Sequence, residues 1–379
     1  MQPIICIHGI LSLLKQTMSD DHQTVDFLGA YCPLPLTHSE QIVIGHGSGG
    51  RLTHDLIQRV FATHLNNPLL DQGDDGVVLP AIEPESEIVV STDSHVISPI
   101  FFPGGDIGKL AVCGTVNDIA VMGARPLYLT AGFILEEGLQ VEVLEYVVSS
   151  MAKAAEEAGV AIVAGDTKVV ERGKGDGIFI NTSGIGVRPR ALQISGRNAR
   201  VGDQIILSGP LGEHGVAVLQ ARGDLGFLSD LQSDVAPLNH LIAEALEAGV
   251  RGQENAIHAM RDPTRGGLAT TLNEIARQSN VGIIIYEAAI PIQETVISVC
   301  EMLGFDPLYM ANEGKCVFFV DPASTDRVMK AIQANKYGAQ AAVIGQVVAE
   351  HPQKVLLKTT MGSTRLVDIL SGELLPRIC

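Results

Sequence analysis

From Gln41 to about Arg190, short β-branched runs alternate with longer stretches of helical period, which is how a mixed α/β layer reads. The pattern predicts strands over Glu87 to Thr92, Pro126 to Leu135, Val160 to Ala164 and Gly177 to Val187. Helices fall near Leu52 to His64, Gly105 to Met122 and Val141 to Ala158. A polar stretch, residues 188–202, then precedes a strand over Asp203 to Ser208. Beyond it the mixture repeats, with helices near Gly212 to Ala221, Pro237 to Glu247, Gly267 to Gln278 and Ile292 to Met302. Further strands are expected at Gly282 to Tyr286, Lys315 to Val320, Ala342 to Val348 and Lys354 to Lys358. With domains usually of about 100–200 residues, this reads as an α/β (α+β) chain of two domains, residues 41–190 and 191–371. Residues 1–40 show no periodicity and are expected to be a poorly ordered extension. Residues 372–379 have no helical period and a proline four from the end, as a mobile tail would.

Composition narrows the partners. Hydrophobic residues are 46% of the 379 and charged ones 18%, enough apolar material for proper cores. A net charge of −17 without any basic tract argues against nucleic acid or an anionic membrane, since both require clustered Lys and Arg. No stretch reaches the ~18 apolar residues of a membrane span, and Ile4 to Leu14 lacks the flanks of a signal peptide, so the expected location is the cytoplasm. The six cysteines form no CxxC pair and no His/Cys cluster at metal spacing, which excludes a zinc or disulfide reading. Cys113, Cys300 and Cys316 sit among apolar neighbours and read as buried thiols. Cys379 differs, as a terminal thiol after Pro376-Arg377-Ile378.

The most informative segment is the helix near Gly105 to Met122. Between Ile107 and Ala124 its only charged residues are Lys109 and Asp118, so it is apolar nearly all round and must be buried. At about 100° per residue, Asn117 and Asp118 fall in the same arc as Ile107, Leu110, Gly114 and Val121. A carboxylate carried inward has to meet a cation, a set of donors or a proton. A structural pair with an arginine such as Arg125 would serve. So would a metal, given the company of Asp74-Asp75, Asp93 and Asp166, each read at a strand end or turn beside glycine. Magnesium takes one or two carboxylates plus phosphate oxygens and water, so scattered Asp residues suit Mg2+ and ATP. Any one of them alone reads as a turn-former.

Phosphate needs donors as well. Asp262-Pro263-Thr264-Arg265-Gly266-Gly267 leads straight into a helix, where backbone N–H groups and the positive dipole end can meet an anion. Gly45-His46-Gly47-Ser48-Gly49-Gly50-Arg51 is a similar, weaker signal. No Walker A motif is present: Gly104-Gly105-Asp106-Ile107-Gly108-Lys109-Leu110 has neither the spacing nor the hydroxyl residue.

Taken in order, these motifs resemble one family. They comprise Gly45 to Gly50, Ser91-Thr92-Asp93-Ser94, Phe101-Phe102-Pro103-Gly104-Gly105, Asn117-Asp118 and Gly132 to Gly138. They continue with Ala164-Gly165-Asp166-Thr167-Lys168-Val169-Val170, Asp262 to Gly267, Asn312-Glu313-Gly314-Lys315 and the terminal Pro-Arg-Ile-Cys. The chain from about Gln41 to Cys379 is similar to the HypE family of hydrogenase maturation factors, within the aminoimidazole-ribotide-synthetase-like (PurM-like) ATP-dependent superfamily.

The resemblance implies a two-domain subunit that forms a homodimer through its N-terminal domains, with ATP near that interface. It implies an ATP and Mg2+ site at Asp75, Asp93, Asp118 and Asp262, with Asn117, Asp166, Thr167, Thr264, Arg265, Gly266 and Gly267 in the nucleotide-binding motifs. It further implies that a carbamoyltransferase, HypF, loads Cys379, that ATP drives dehydration of the thiocarboxamide to a thiocyanate, and that the cyano group passes to iron on a HypC–HypD scaffold. Glu313 would be the base and Lys168 the orienting cation. The chemistry is coherent: the thiocarboxamide oxygen leaves readily only once phosphorylated, and the nitrogen must then lose its protons. A free thiol of pKa about 8.5 is mostly protonated at neutral pH, so the incoming carbamoyl must itself be activated.

Two other readings stay open. One is another superfamily kinase or synthetase, such as a selenophosphate synthetase, although the glycine-rich loop offers His46 and Ser48 and no cysteine. The other is a non-catalytic carrier whose ATP site gates the tail.

Overall fold

The computed structural model describes residues 40–70, 77–223, 229–251, 254–369 and 377–378. The N-terminal extension, Asp74, Asp75, tail residues 372–376 and Cys379 lie outside the described residues.

In the first half, β1 (Ser86–His95), α1 (Ile107–Val121), β2 (Arg125–Glu136), α2 (Val141–Ala158), β3 (Ala161–Val170) and β4 (Ile178–Pro189) build a four-stranded sheet in the order β1-β4-β2-β3. The one parallel pair, β2 with β3, is joined by α2, as a parallel connection requires. α1 begins where the Asp106 carboxylate accepts from the backbone N–H groups of Gly108 and Lys109, at 2.7 and 3.2 Å, satisfying donors that a helix start leaves unpaired.

In the second half, β5 (Gln204–Leu207), α3 (Glu213–Ala221), α4 (Asn239–Gly249), β6 (Ile257–Arg261), α5 (Gly267–Ser279), β7 (Gly282–Tyr286) and α6 (Glu294–Leu303) come first. β8 (Val317–Val320), α7 (Thr325–Ala334), β9 (Ala342–Val348), β10 (Val355–Lys358) and β11 (Thr364–Val367) follow. The strands form a seven-stranded sheet, β6-β8-β5-β9-β7-β10-β11. Its centre is buried on both faces, and β8 shows how: side chains alternate along a strand. Phe318 therefore packs with Leu241, Val328 and Ile332 of α4 and α7, while Phe319 packs with Leu272 and Ile275 of α5.

The all-round apolar character of α1 has a structural cause. Its inner residues Leu110, Cys113 and Val116 belong to the core of the first half, and Ala120 and Val121 join Leu238 and Leu241 in a core of the second. One helix serves both halves. Cys113, Cys300 and Cys316 are buried and unpaired, and burial pushes the Cys300 thiol up to about 11.

Of the elements named above, β6, α7 and β11 were not expected. β1 and β3 also run further than their patterns suggested, past residues read as turns. β1 continues through Asp93 and β3 through Gly165-Asp166, because each is paired along its length, Asp93 with Thr182 and Asp166 with Gly132. Asp93 and Asp166 are therefore strand residues, and the turn-forming tendency of Asp and Gly yields to ladder pairing. Among the described residues, no helix is long and apolar enough to cross a membrane.

Because Phe318 and Phe319 are both fully buried, replacing either by alanine is expected to cost about 3–5 kcal/mol in urea unfolding. Losses below about 1 kcal/mol at both positions would contradict the two-faced core.

Candidate active site

Three segments converge beside α1. β1 supplies Ser91, Asp93 and His95; the loop from β6 to α5 supplies Asp262, Thr264 and Arg265; the turn before β8 supplies Glu313. Two buried amides tie them together. Asn117, on α1, accepts from Leu238 N–H at 2.7 Å and donates to the carbonyl of Ala236 at 3.0 Å, with a longer contact to that of Glu313. Its amide is thus committed to backbone groups. Asn312 donates to the carbonyls of Pro263 and Met310, both at 2.9 Å, and accepts from Gly212 N–H at 2.7 Å. The Asp262 loop and the Glu313 turn are consequently held in one frame. Glycine at 267 is obligatory: its φ is +60°, and a Cβ there would sit 2.5 Å from the carbonyl oxygen of Leu308.

The site is acidic. Asp118 is half-buried and accepts a 2.7 Å hydrogen bond from the Ser91 hydroxyl, so a serine takes the place considered for Arg125. Loss of water raises its carboxyl above the usual range, and the charge of Asp93 adds to this. Asp262 is pushed up to about 7, first by desolvation and then by Asp118. Glu313, 4% exposed, is raised well above the ordinary carboxylate value, first by burial and then by Asp234, Asp262 and Asp93, with Arg265 opposing. One of its oxygens, Oε1, is buried without a hydrogen-bond partner. Arg265 reaches Asp93 at 3.8 Å from the start of α5. Close carboxyls of this kind repel one another less when one takes up a proton or when a cation joins them. No three His, Cys, Asp or Glu side chains among the described residues stand close enough to cage a metal by themselves.

Sequence reading missed His95 and the anchor of the tail. His95 is buried, with Nε2 3.6 Å from Asp93 and Nδ1 unpartnered, and burial lowers its pKa. At the other end, Ile378 is only 4% exposed and bridges to Ile97. His214 Nε2 donates to the carbonyl of Ile378 at 2.7 Å, and its Nδ1 meets the Ser233 hydroxyl at 2.8 Å. Arg377 pairs with Asp176 at 2.7 Å, and its carbonyl accepts from Arg222. His214, between Glu213 and Gly215, gave no signal of this, because its partner is a backbone carbonyl more than 160 residues away.

Asp166, Thr167 and Lys168 stand apart on β3. Lys168 is exposed and pairs with Asp166 at 3.2 Å. Asp166 and Thr167 border a cavity of about 510 Å³ that is also lined by Thr53, Ile57 and Phe61.

Comparison with known proteins agrees with this geometry. Residues 73–188 match the N-terminal domain of AIR synthase related proteins, and residues 200–358 the C-terminal domain. The carbamoyl dehydratase HypE of Azotobacter vinelandii is 54% identical over 334 residues, 88% of this chain and 96% of that protein. The chain belongs to the HypE family. A crystal structure of a HypE hydrogenase maturation protein in complex with ATP superposes with a TM-score of 0.83 at 47% identity, over 89% of this chain and 99% of that one. A HypE–HypF complex contains a chain that superposes with a TM-score of 0.72 at 48% identity, over 83% and 99%. The two-part α/β fold expected from the motifs is that of the family.

Asp262 supplies a test with a definite sign. Its folded pKa of about 7 exceeds the ordinary value, so the folded state binds its proton more tightly and loses stability as pH rises toward 7. Asp262→Asn should therefore be more stable than the parent protein above pH 7 without nucleotide, with the advantage shrinking toward pH 4. Thermal melts across that range read it. An advantage that grows as pH falls would contradict the assignment.

Proposed function

We propose that this chain catalyses ATP-dependent dehydration of an S-carbamoyl group on its own Cys379, giving a thiocyanate that supplies cyanide to the iron of a nickel-iron hydrogenase centre. The observation that carries the reading is the convergence of Asp93, Asp262 and Arg265 on one buried base candidate, Glu313, with Asp118 beside Asp93 and Asp262, in a chain of this family.

Hard oxygens suit Mg2+, with Asp93, Asp118 and Asp262 as its candidate ligands; Asp75, which the family resemblance adds to them, lies outside the described residues. Once bound, the ion neutralises charge on the nucleotide phosphates. Arg265 and the N–H groups at the start of α5, with Thr264, Gly266 and Gly267, face the anion. Attack of the carbamoyl oxygen on the γ-phosphorus breaks the bond to ADP. Loss of that oxygen as phosphate, and of both nitrogen protons, leaves the C≡N triple bond. The departing phosphate carries away one of these protons and Glu313 accepts the other. The raised pKa makes it a strong base when ionised, and neutralising Asp93 and Asp262 in the loaded site removes two of the charges that keep it protonated.

Lys168 is the cation we assign to the reacting group. It stands on an edge strand, and a homodimer formed through the first sheet is the arrangement that would bring it to a second copy's site. The exposed Ile88, Val90 and Ile134 supply an apolar face for that contact. The anchored Ile378 supports a tail that returns to the body, since His214 holds its carbonyl directly and is itself held by Ser233, the neighbour of the Asp234 that grips the Glu313 turn. HypF as donor and HypC–HypD as acceptor complete the cycle in the cytoplasm.

Intact-mass analysis of the carbamoylated protein with Mg2+ and ATP should show one water lost from the C-terminal peptide. An unchanged mass with ATP bound would leave a carrier and remove the dehydratase reading. Cys379→Ala should abolish the mass change and keep ATP affinity within about twofold, since the thiol is not one of the groups assigned to phosphate or metal.

A further inference from the structure

The head of Glu313 is not held in place by its own hydrogen bonds, since Oε1 is buried without a partner. A carboxyl kept free for a substrate proton has to be aimed by its backbone. That backbone is gripped from one side by a single residue. Asp234 Oδ1 accepts from Glu313 N–H and Oδ2 from Gly314 N–H, both at 3.1 Å, a two-point grip that fixes the orientation of the turn as well as its position. Return bonds close the frame: Ala236 N–H donates to the carbonyl of Glu313 at 3.4 Å, and Asn117 holds Ala236 from α1. The approach is so close that a Cβ on Gly314 would lie 1.8 Å from the Asp234 carbonyl oxygen.

Behind the grip stands a cation. Lys315 Nζ lies 3.3 Å from Asp234 Oδ2 and 2.9 Å from Glu213 Oε2, and Gln293 donates to the other oxygen of Glu213. Side-chain exposure is 1% for Asp234, 8% for Lys315 and 12% for Glu213. Two carboxylates and one ammonium buried together are a poor way to add stability, since desolvation offsets most of the attraction. Their geometric effect is specific: Lys315, 3.3 Å from Oδ2, keeps the Asp234 carboxyl directed at the two N–H groups.

We propose that Asp234, held by Lys315 and Glu213, is a positioning residue for the dehydration, aiming Glu313 at the reacting nitrogen through the Glu313–Gly314 backbone. This rests on Glu313 being the base.

The test is single-turnover dehydration of the full-length carbamoylated protein, followed by intact mass, with ATP affinity measured in parallel. Asp234→Asn keeps the shape and one acceptor, whereas Asp234→Ala keeps neither. Rates should fall in that order, reaching at least about a tenfold loss for alanine, while ATP affinity stays within about twofold. In a Glu313→Asp background, whose shorter carboxyl is already misplaced, Asp234→Asn should add little further loss.

Asp234→Asn at the parent rate, while Glu313→Gln is inactive, overturns the positioning role and leaves the base assignment standing. Glu313→Gln at the parent rate overturns the base assignment, and the positioning role with it. Equal losses from Asp234→Asn in both backgrounds, or loss of ATP binding together with rate, place Asp234 elsewhere in the fold and also overturn the proposal.

Discussion

The Asn117 amide joins the two halves of the chain at the site. It sits on a helix that both halves use as core, and its hydrogen bonds go to the backbone of residues 236 and 238 in the other half. Those residues continue from Ser233 and Asp234, which hold the tail anchor His214 and the Glu313 turn. Remove the amide and a buried N–H and a buried carbonyl lose their partners together, at about 1–3 kcal/mol for each. The same short segment would then be free to shift, and the acid site, the base candidate and the tail anchor would lose their common frame.

Electrostatics supplies the second constraint. The site gathers negative charge: among the described residues Arg265 is exposed and reaches Asp93 at 3.8 Å, and Asp118 is met by a hydroxyl. The result is carboxyls whose proton affinities are raised above their usual range. The cost of assembling them is offset by the interlocked amides, and under the proposed function a cation and the nucleotide phosphates would relieve it.

Much of this was legible in the sequence, for reasons particular to each residue. The burial of α1 followed from its lack of charge, and Asp118 stood out because it broke that pattern. The helix start at Gly266-Gly267 followed from its glycines. The strand character of Asp93 and Asp166 did not, because pairing partners distant in sequence overrode local turn preference. Nor did the roles of Asn117, Asn312, Asp234 and His214, whose partners are mostly backbone groups, which carry no residue-type signal. Lys168 and Glu313 were reached only through family resemblance, since spacing alone gives a solvated lysine and a surface carboxylate.

The central claim is that the carbamoyl oxygen leaves as phosphate. The most direct measurement starts from protein whose S-carbamoyl group carries heavy oxygen and analyses the inorganic phosphate formed with ATP in ordinary water. The account predicts one heavy oxygen in the phosphate for each tail converted to thiocyanate. Phosphate free of the label, with the tail converted, would contradict it.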